Sequence, residues 1–145
     1  MAKAANRAQN TAEMVRLGVV GHGVVGSAFT ALVARQQETI AARTGITLEV
    51  VRIAVRDAAK HPSRVGTAVV STDPLAVATA DDVDLVVEVM GGTALASDVI
   101  RTALEHGKPV VTANKALLAT YGNEIFAAAQ KKGVMVAFEA AVAGG

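Results

Sequence analysis

Three glycines, Gly21, Gly23 and Gly26, fall in the stretch 17-LGVVGHGVVGSAF-29, straight after an apolar run and just ahead of an amphipathic one. Glycines at the first, third and sixth positions suit the holding of a pyrophosphate. Gly21 permits a tight turn out of a strand, Gly23 removes a side chain from the path of the phosphates, and Gly26 lets a helix pack close to that strand. The anion then lies over free N–H groups at the positive end of the helix, along His22, Val24 and Val25. GxGxxG alone is a weak signal, because turns that merely pack tightly carry it too. Its weight comes from a strand before it and a helix after it, at the head of an alternating chain. His22 reads as a solvent-side loop residue rather than a catalytic group.

The second informative position is the tip of the next strand. An acidic residue about 20 positions past the glycines usually takes the adenosine ribose hydroxyls. The helix that follows this loop is long, so the tip comes later, at 54-AVRD-57, and its residue is Arg56. A guanidinium there can pair with a 2′-phosphate, with Lys60 assisting. NADP is therefore the expected cofactor and NAD remains open, since the adjacent Asp57 could take a ribose hydroxyl instead.

These residues need a scaffold that brings strand tips together. Apolar, β-branched runs at 15–20, 48–55, 68–71, 85–90, 109–112 and 134–138 read as six short buried strands. Between them, residues 24–44 carry Phe29, Leu32, Val33 and Ile40 at helical spacing, with Gly45 as the stop. Thr72-Asp73-Pro74 looks like a helix start. Further helices are expected over 95–104, closed by His106-Gly107, and over 117–132, stopped by Gly133. Residues 57–66 are polar, contain a proline and read as a loop or excursion, and residues 1–13 read as a polar tail ahead of a domain spanning 14–145. Alternating strands and helices imply an α/β fold, a Rossmann-like doubly wound parallel sheet of about six strands with helices on both faces.

Composition narrows the function. The chain has 145 residues, 52% of them hydrophobic, enough for one domain core, while aromatics at 3% leave Ala, Val, Ile and Leu to fill it. Fourteen Lys and Arg against 13 Asp and Glu give a net charge of +1, without the basic excess that nucleic-acid binding draws on. There is no cysteine, which excludes disulfides, thiolate catalysis and thiolate-bound metals. No run approaches the roughly 18 apolar residues of a membrane span, and no apolar leader opens the chain, so a soluble cytoplasmic protein is expected.

The segments 88-EVMGG-92, 111-VTANKALLA-119 and 139-EAAVAGG-145, taken with 19-VVGHGVVGSA-28 and 54-AVRD-57, closely resemble the N-terminal half of homoserine dehydrogenase, in order and in spacing, from about residue 15 onward. VTANKALLA is the most specific piece. The resemblance implies an NAD(P)-dependent oxidoreductase of the monofunctional type that interconverts L-aspartate 4-semialdehyde and L-homoserine, on the route to threonine and methionine. It also implies that Ser71 and Thr72 lie beside the cofactor, that Met90, Gly91 and Gly92 border it, and that Asn114 either holds the nicotinamide carboxamide or shapes the turn.

Lys115 is the residue expected to do chemistry. An ammonium at the carboxyl end of a strand can orient the substrate, or stabilise and protonate an oxygen as hydride arrives. A lysine that opens a helix is electrostatically misplaced, which favours function over surface decoration. The resemblance further implies a monovalent cation, sodium or potassium, held by Glu139 and the carbonyl of Val142. It implies a later substrate and dimerisation domain beyond Gly145, so that this chain alone would bind cofactor without turnover, and a homodimer or homotetramer for the full enzyme. An aspartate dehydrogenase-like oxidoreductase and a non-catalytic NAD(P)-binding sensor are the competing expectations.

Overall fold

The computed structural model describes residues 13–138. The central strand is β1 (Glu13–Val20), and the chain leaves its carboxyl end through the glycine loop into α1 (Val24–Thr44). Next come β2 (Ile46–Ala54), a 3₁₀ turn (Ala58–Lys60), β3 (Arg64–Val65), β4 (Ala68–Ser71) and α2 (Pro74–Thr79). The remainder alternates as β5 (Leu85–Glu88), α3 (Ala94–Glu105), β6 (Val110–Thr112), α4 (Lys115–Lys132) and β7 (Val136–Ala137).

The seven strands form one sheet in the order β3-β4-β2-β1-β5-β6-β7. All pairings are parallel except β3 with β4. The six parallel strands follow the doubly wound order, in which the chain steps outward to one side of β1 and then crosses to the other. The seventh strand gives form to the excursion expected over 57–66. That segment is not a plain loop, for Arg64 and Val65 pair with Val69 and Ala68 in a two-residue hairpin arm along the sheet edge.

Consecutive residues of the inner strands feed different cores, as a pleat with both faces covered requires. Val19, Ile53 and Val87 belong to one cluster, against which Phe29 of α1 packs. Val20, Ala54 and Val86 belong to the other, shared with Val77 of α2, Ile100 and Leu104 of α3, and Leu117 and Ile125 of α4. Helices thus lie on both faces, three on one and α1 on the other. The helix ends expected at Gly45 and Gly133 are left-handed, with φ of 73° and 66°. Asp73 caps α2 by accepting from the Ala76 N–H at 3.1 Å, with Pro74 in the first turn.

Two ion pairs bind the entry to β5 to its neighbour β1 and, beyond it, to β2. The Asp84 carboxylate accepts from the Arg16 backbone N–H at 2.8 Å and from its guanidinium at 3.1 and 3.2 Å, and Asp82 accepts from Arg52 at 2.6 Å. The hydrogen bonds from Arg16 and Arg52, outweighing partial desolvation, hold both carboxyls below the ordinary carboxylate range. Acids with depressed values in the folded state contribute stability that is complete above the unfolded value and lost as pH falls through the folded one. The urea midpoint should therefore fall as the pH drops below about 4. Because both side chains of the Arg52–Asp82 pair are more than a third exposed, solvent screening limits its worth. Asp82→Asn should cost no more than about 0.5 kcal/mol at pH 7 and should flatten the acid limb of the midpoint-against-pH curve.

Candidate functional site

The strand order reverses at β1, which pairs with β2 on one side and β5 on the other. In open α/β sheets the crevice at such a reversal, beyond the carboxyl ends of the strands, is where ligands bind. The glycine loop lies there. Gly21 has φ of +103°, and a Cβ on it would stand 2.7 Å from the Met90 Cα and 2.8 Å from the Val89 carbonyl oxygen. A Cβ on Gly26 would stand 2.1 Å from the Gly21 carbonyl oxygen, so only glycine lets α1 start this close to β1. Gly23 differs from both: a Cβ there would meet nothing within 4 Å. No protein atom requires glycine at that position, whereas a phosphate lying against the bare first turn of α1 would. The residues present thus fit a dinucleotide.

Two cavities flank the loop. The larger, about 510 Å³, is lined by Gly21, His22, Gly23, Arg56, Lys60 and Thr72, with Met90 on its far wall. The smaller, about 320 Å³, is lined by Val25, Val89, Gly91, Ala113, Asn114 and Lys115. Val89 borders both. Eleven of the fifteen cofactor-site residues expected from the sequence therefore face one or other cavity. Val24 is 88% exposed at the head of α1. Gly26 is buried behind the loop, Ser71 ends β4 with its carbonyl on the Val55 N–H, and Gly92 holds a positive φ on the loop after β5. Glu139 and Val142, the expected cation ligands, lie outside the described residues.

Electrostatically the two ends differ from an ordinary surface. Arg56, Lys60 and Lys115 are exposed, and among the described residues none of the three forms a salt bridge. Asp57, the alternative ribose ligand, spends its Oδ1 on the Ala59 N–H at 3.0 Å as the cap of the 3₁₀ turn. His22 accepts or donates to Thr30 Oγ1 at 3.0 Å, and burial, then the facing His61, pushes its imidazole below the usual histidine range.

Asn114 shapes the turn. Its Oδ1 accepts from the Leu117 N–H at 3.0 Å, capping α4, and its Nδ2 donates to the Gly92 carbonyl at 2.5 Å. That second bond ties the loop after β5 to the head of α4, which carries Lys115. Behind it stands a residue with no role in the sequence reading. Glu88, fully buried, accepts from the Met90 N–H at 3.0 Å and from Thr112 Oγ1 at 2.6 Å, and Thr112 Oγ1 in turn accepts from the Asn114 N–H at 3.1 Å. An enclosed carboxylate is tolerable only when it is hydrogen-bonded, and here it joins the tips of β5 and β6. The one sequence signal for it is a charged residue inside an otherwise apolar strand.

A parallel sheet in doubly wound order, with a glycine-headed crevice at its reversal point, defines a dinucleotide-binding Rossmann domain. Residues 21–139 match the model of the homoserine dehydrogenase NAD-binding domain, and the chain belongs to that family. It is 48% identical over 132 residues to the homoserine dehydrogenase of Pseudomonas aeruginosa and 42% identical over 131 residues to that of Neisseria gonorrhoeae. Each alignment takes in 90% of this chain and 30% of the relative. The crystal structure of a Thiobacillus denitrificans homoserine dehydrogenase superposes with a TM-score of 0.83 at 45% identity, over 89% of this chain and 30% of that one. The chain therefore spans about a third of the length of these relatives and corresponds to their NAD-binding part.

The three glycines make separable predictions. Gly23→Ala should still fold, losing no more than about 1 kcal/mol as the poorer N-cap of α1, yet weaken dinucleotide binding at least tenfold. Gly26→Ala should lower the melting temperature, because its Cβ meets backbone that cannot move aside. Paired thermal melts and cofactor titrations would separate the two effects.

Proposed function

We propose that the chain is the cofactor half of a homoserine dehydrogenase that prefers NADP, the whole enzyme reversibly reducing L-aspartate 4-semialdehyde to L-homoserine. The observation that carries the cofactor preference is the wall of the larger cavity. Arg56 and Lys60 stand there without a carboxylate partner, and the one acid beside them already caps a turn. A 2′-phosphate supplies the missing anion, which a bare ribose cannot.

The bound nicotinamide would supply the hydride. Everything else falls to the chain's own residues. The first turn of α1, bare at Gly23, takes the pyrophosphate on its N–H groups and positive end. Val25 and Val89 give the smaller cavity an apolar wall and exclude water from it. Lys115, set on the opposite side by the Asn114 cap, presents an ammonium that donates to the aldehyde oxygen and stabilises the alkoxide developing there. Run in reverse, the same ammonium helps the homoserine hydroxyl lose its proton. The substrate's amino acid end, the subunit contacts of a dimer or tetramer and a monovalent cation at Glu139 and Val142 belong to the whole enzyme.

Calorimetric titration tests the cofactor assignment. NADP should bind at least tenfold more tightly than NAD. Arg56→Ala should remove that preference at a cost of about 1.5–3 kcal/mol in NADP affinity and leave NAD within about twofold. Equal affinities in the wild type would move the ribose contact to Asp57, and no binding of either would overturn the glycine-loop assignment. In the full-length enzyme, Lys115→Ala should lower kcat by at least about 10²-fold while NADP affinity changes little. An unchanged kcat would remove Lys115 from the chemistry, and a wild-type enzyme without turnover would instead favour a non-catalytic sensor.

A further inference from the structure

The larger cavity contains a histidine with no part in the scheme above. His61 follows Lys60 on the connection between the 3₁₀ turn and β3, and its ring is half-buried in the cavity wall beside Arg56 and Lys60. It stands edge-on to the ring of His22, with centroids 5.7 Å apart and an interplanar angle of 69°. His22 is anchored from behind by Thr30, whereas the His61 side chain makes no hydrogen bond among the described residues. Two cations and two imidazoles therefore converge on one wall from two separate segments, the glycine loop and the connection after β2. Among the described residues the only carboxylate lining it is Asp57, already engaged at its Oδ1. The other residues there, among them Thr72, Pro74 and Leu95, carry no charge.

We propose that His61 completes the 2′-phosphate subsite, so that binding of NADP, but not of NAD, draws a proton onto the His22–His61 pair. The proposal rests on the assignment of Arg56 to the 2′-phosphate. Its physics is a disfavoured positive charge relieved by an anion. Burial disfavours the charged form of His22, and the ring of His61, edge-on at this distance, adds to that. A phosphate dianion between the imidazoles and the guanidinium reverses that balance and raises the proton affinity of the pair. Histidine is the side chain whose charge changes between pH 5 and 8, so the exchange falls within the working range. Linkage then requires that protonation of the pair tighten NADP binding by the same factor as NADP tightens protonation.

The phosphate itself works in the opposite direction. With a second ionisation near pH 6 it is mostly a dianion at pH 7, and contact with cations expels what proton it retains. The sign of the proton exchange therefore distinguishes a histidine from a bare phosphate effect.

The test is calorimetry of this chain with NADP and with NAD at pH 7, in two buffers of different ionisation enthalpy, for wild type and His61→Gln. Wild type should take up a substantial fraction of a proton with NADP and close to none with NAD. His61→Gln should lose most of that uptake, and at pH 6 it should bind NADP about five- to tenfold more weakly while NAD affinity stays within twofold. Net release with wild type, or uptake undiminished in His61→Gln, would overturn the assignment. So would an equal loss of NAD affinity, which would mean that the substitution acts on the whole cleft. If wild type binds NADP and NAD alike, the 2′-phosphate assignment itself falls. If Arg56→Ala abolishes the NADP preference and His61→Gln leaves both affinity and uptake untouched, only the role of His61 falls.

Discussion

The approach of α1 to the end of β1 governs this domain. The missing side chain at Gly26 brings the first turn of the helix against the Gly21 carbonyl. That contact aims the helix's free N–H groups into the crevice between β1 and β5, and it sets the packing of Phe29 and Val33 on the sheet face behind. Were the helix held off by one methyl group, the N–H groups would no longer meet the space beside Gly23. Packing and ligand binding thus share one geometric constraint, although they act through different glycines.

Around that anchor the cleft is electrically lopsided. The larger cavity gathers Arg56, Lys60 and the histidine pair, and the smaller one holds Lys115 at the positive pole of α4. Neither arrangement helps the empty protein, since like charges repel each other and a helix head disfavours an ammonium. A surface shaped for stability alone would have placed acids at both positions. The cost is intelligible under the proposed function, in which phosphates would lie at one end and a developing alkoxide at the other.

Most of the scaffold was legible from the chain because its signals are local. Short β-branched runs, glycine stops and the Asp73-Pro74 start located six strands and four helices to within a few residues. The hairpin arm at Arg64–Val65 escaped, because two residues carry no period and their pairing is with a neighbour that was itself read as a strand. Asn114 was read as either a ligand or a turn residue, and only the distances to Leu117 and Gly92 resolve its part in the turn. Glu88 offers only the faint signal of a charge inside an apolar strand, and His61 offers none. What matters about Glu88 is a hydroxyl 24 positions away, and what matters about His61 is a ring across the cavity. Residues whose meaning lies in such long-range neighbours stay silent in a linear reading.

The Glu88 relay also has a dynamic consequence. The amide hydrogens of Met90 and Asn114 sit on loops at the rim of an open cleft, where solvent normally exchanges them quickly. Here they are donated inward, one to a fully enclosed carboxylate and the other to the hydroxyl that carboxylate holds. Opening the loop after β5 would strip the enclosed Glu88 of one of its two donors, and opening the head of α4 would take a donor from the hydroxyl that supplies the other, each a costlier event than fraying a surface turn. The floor of the cleft should therefore exchange its amide hydrogens at rates close to those of the core strands.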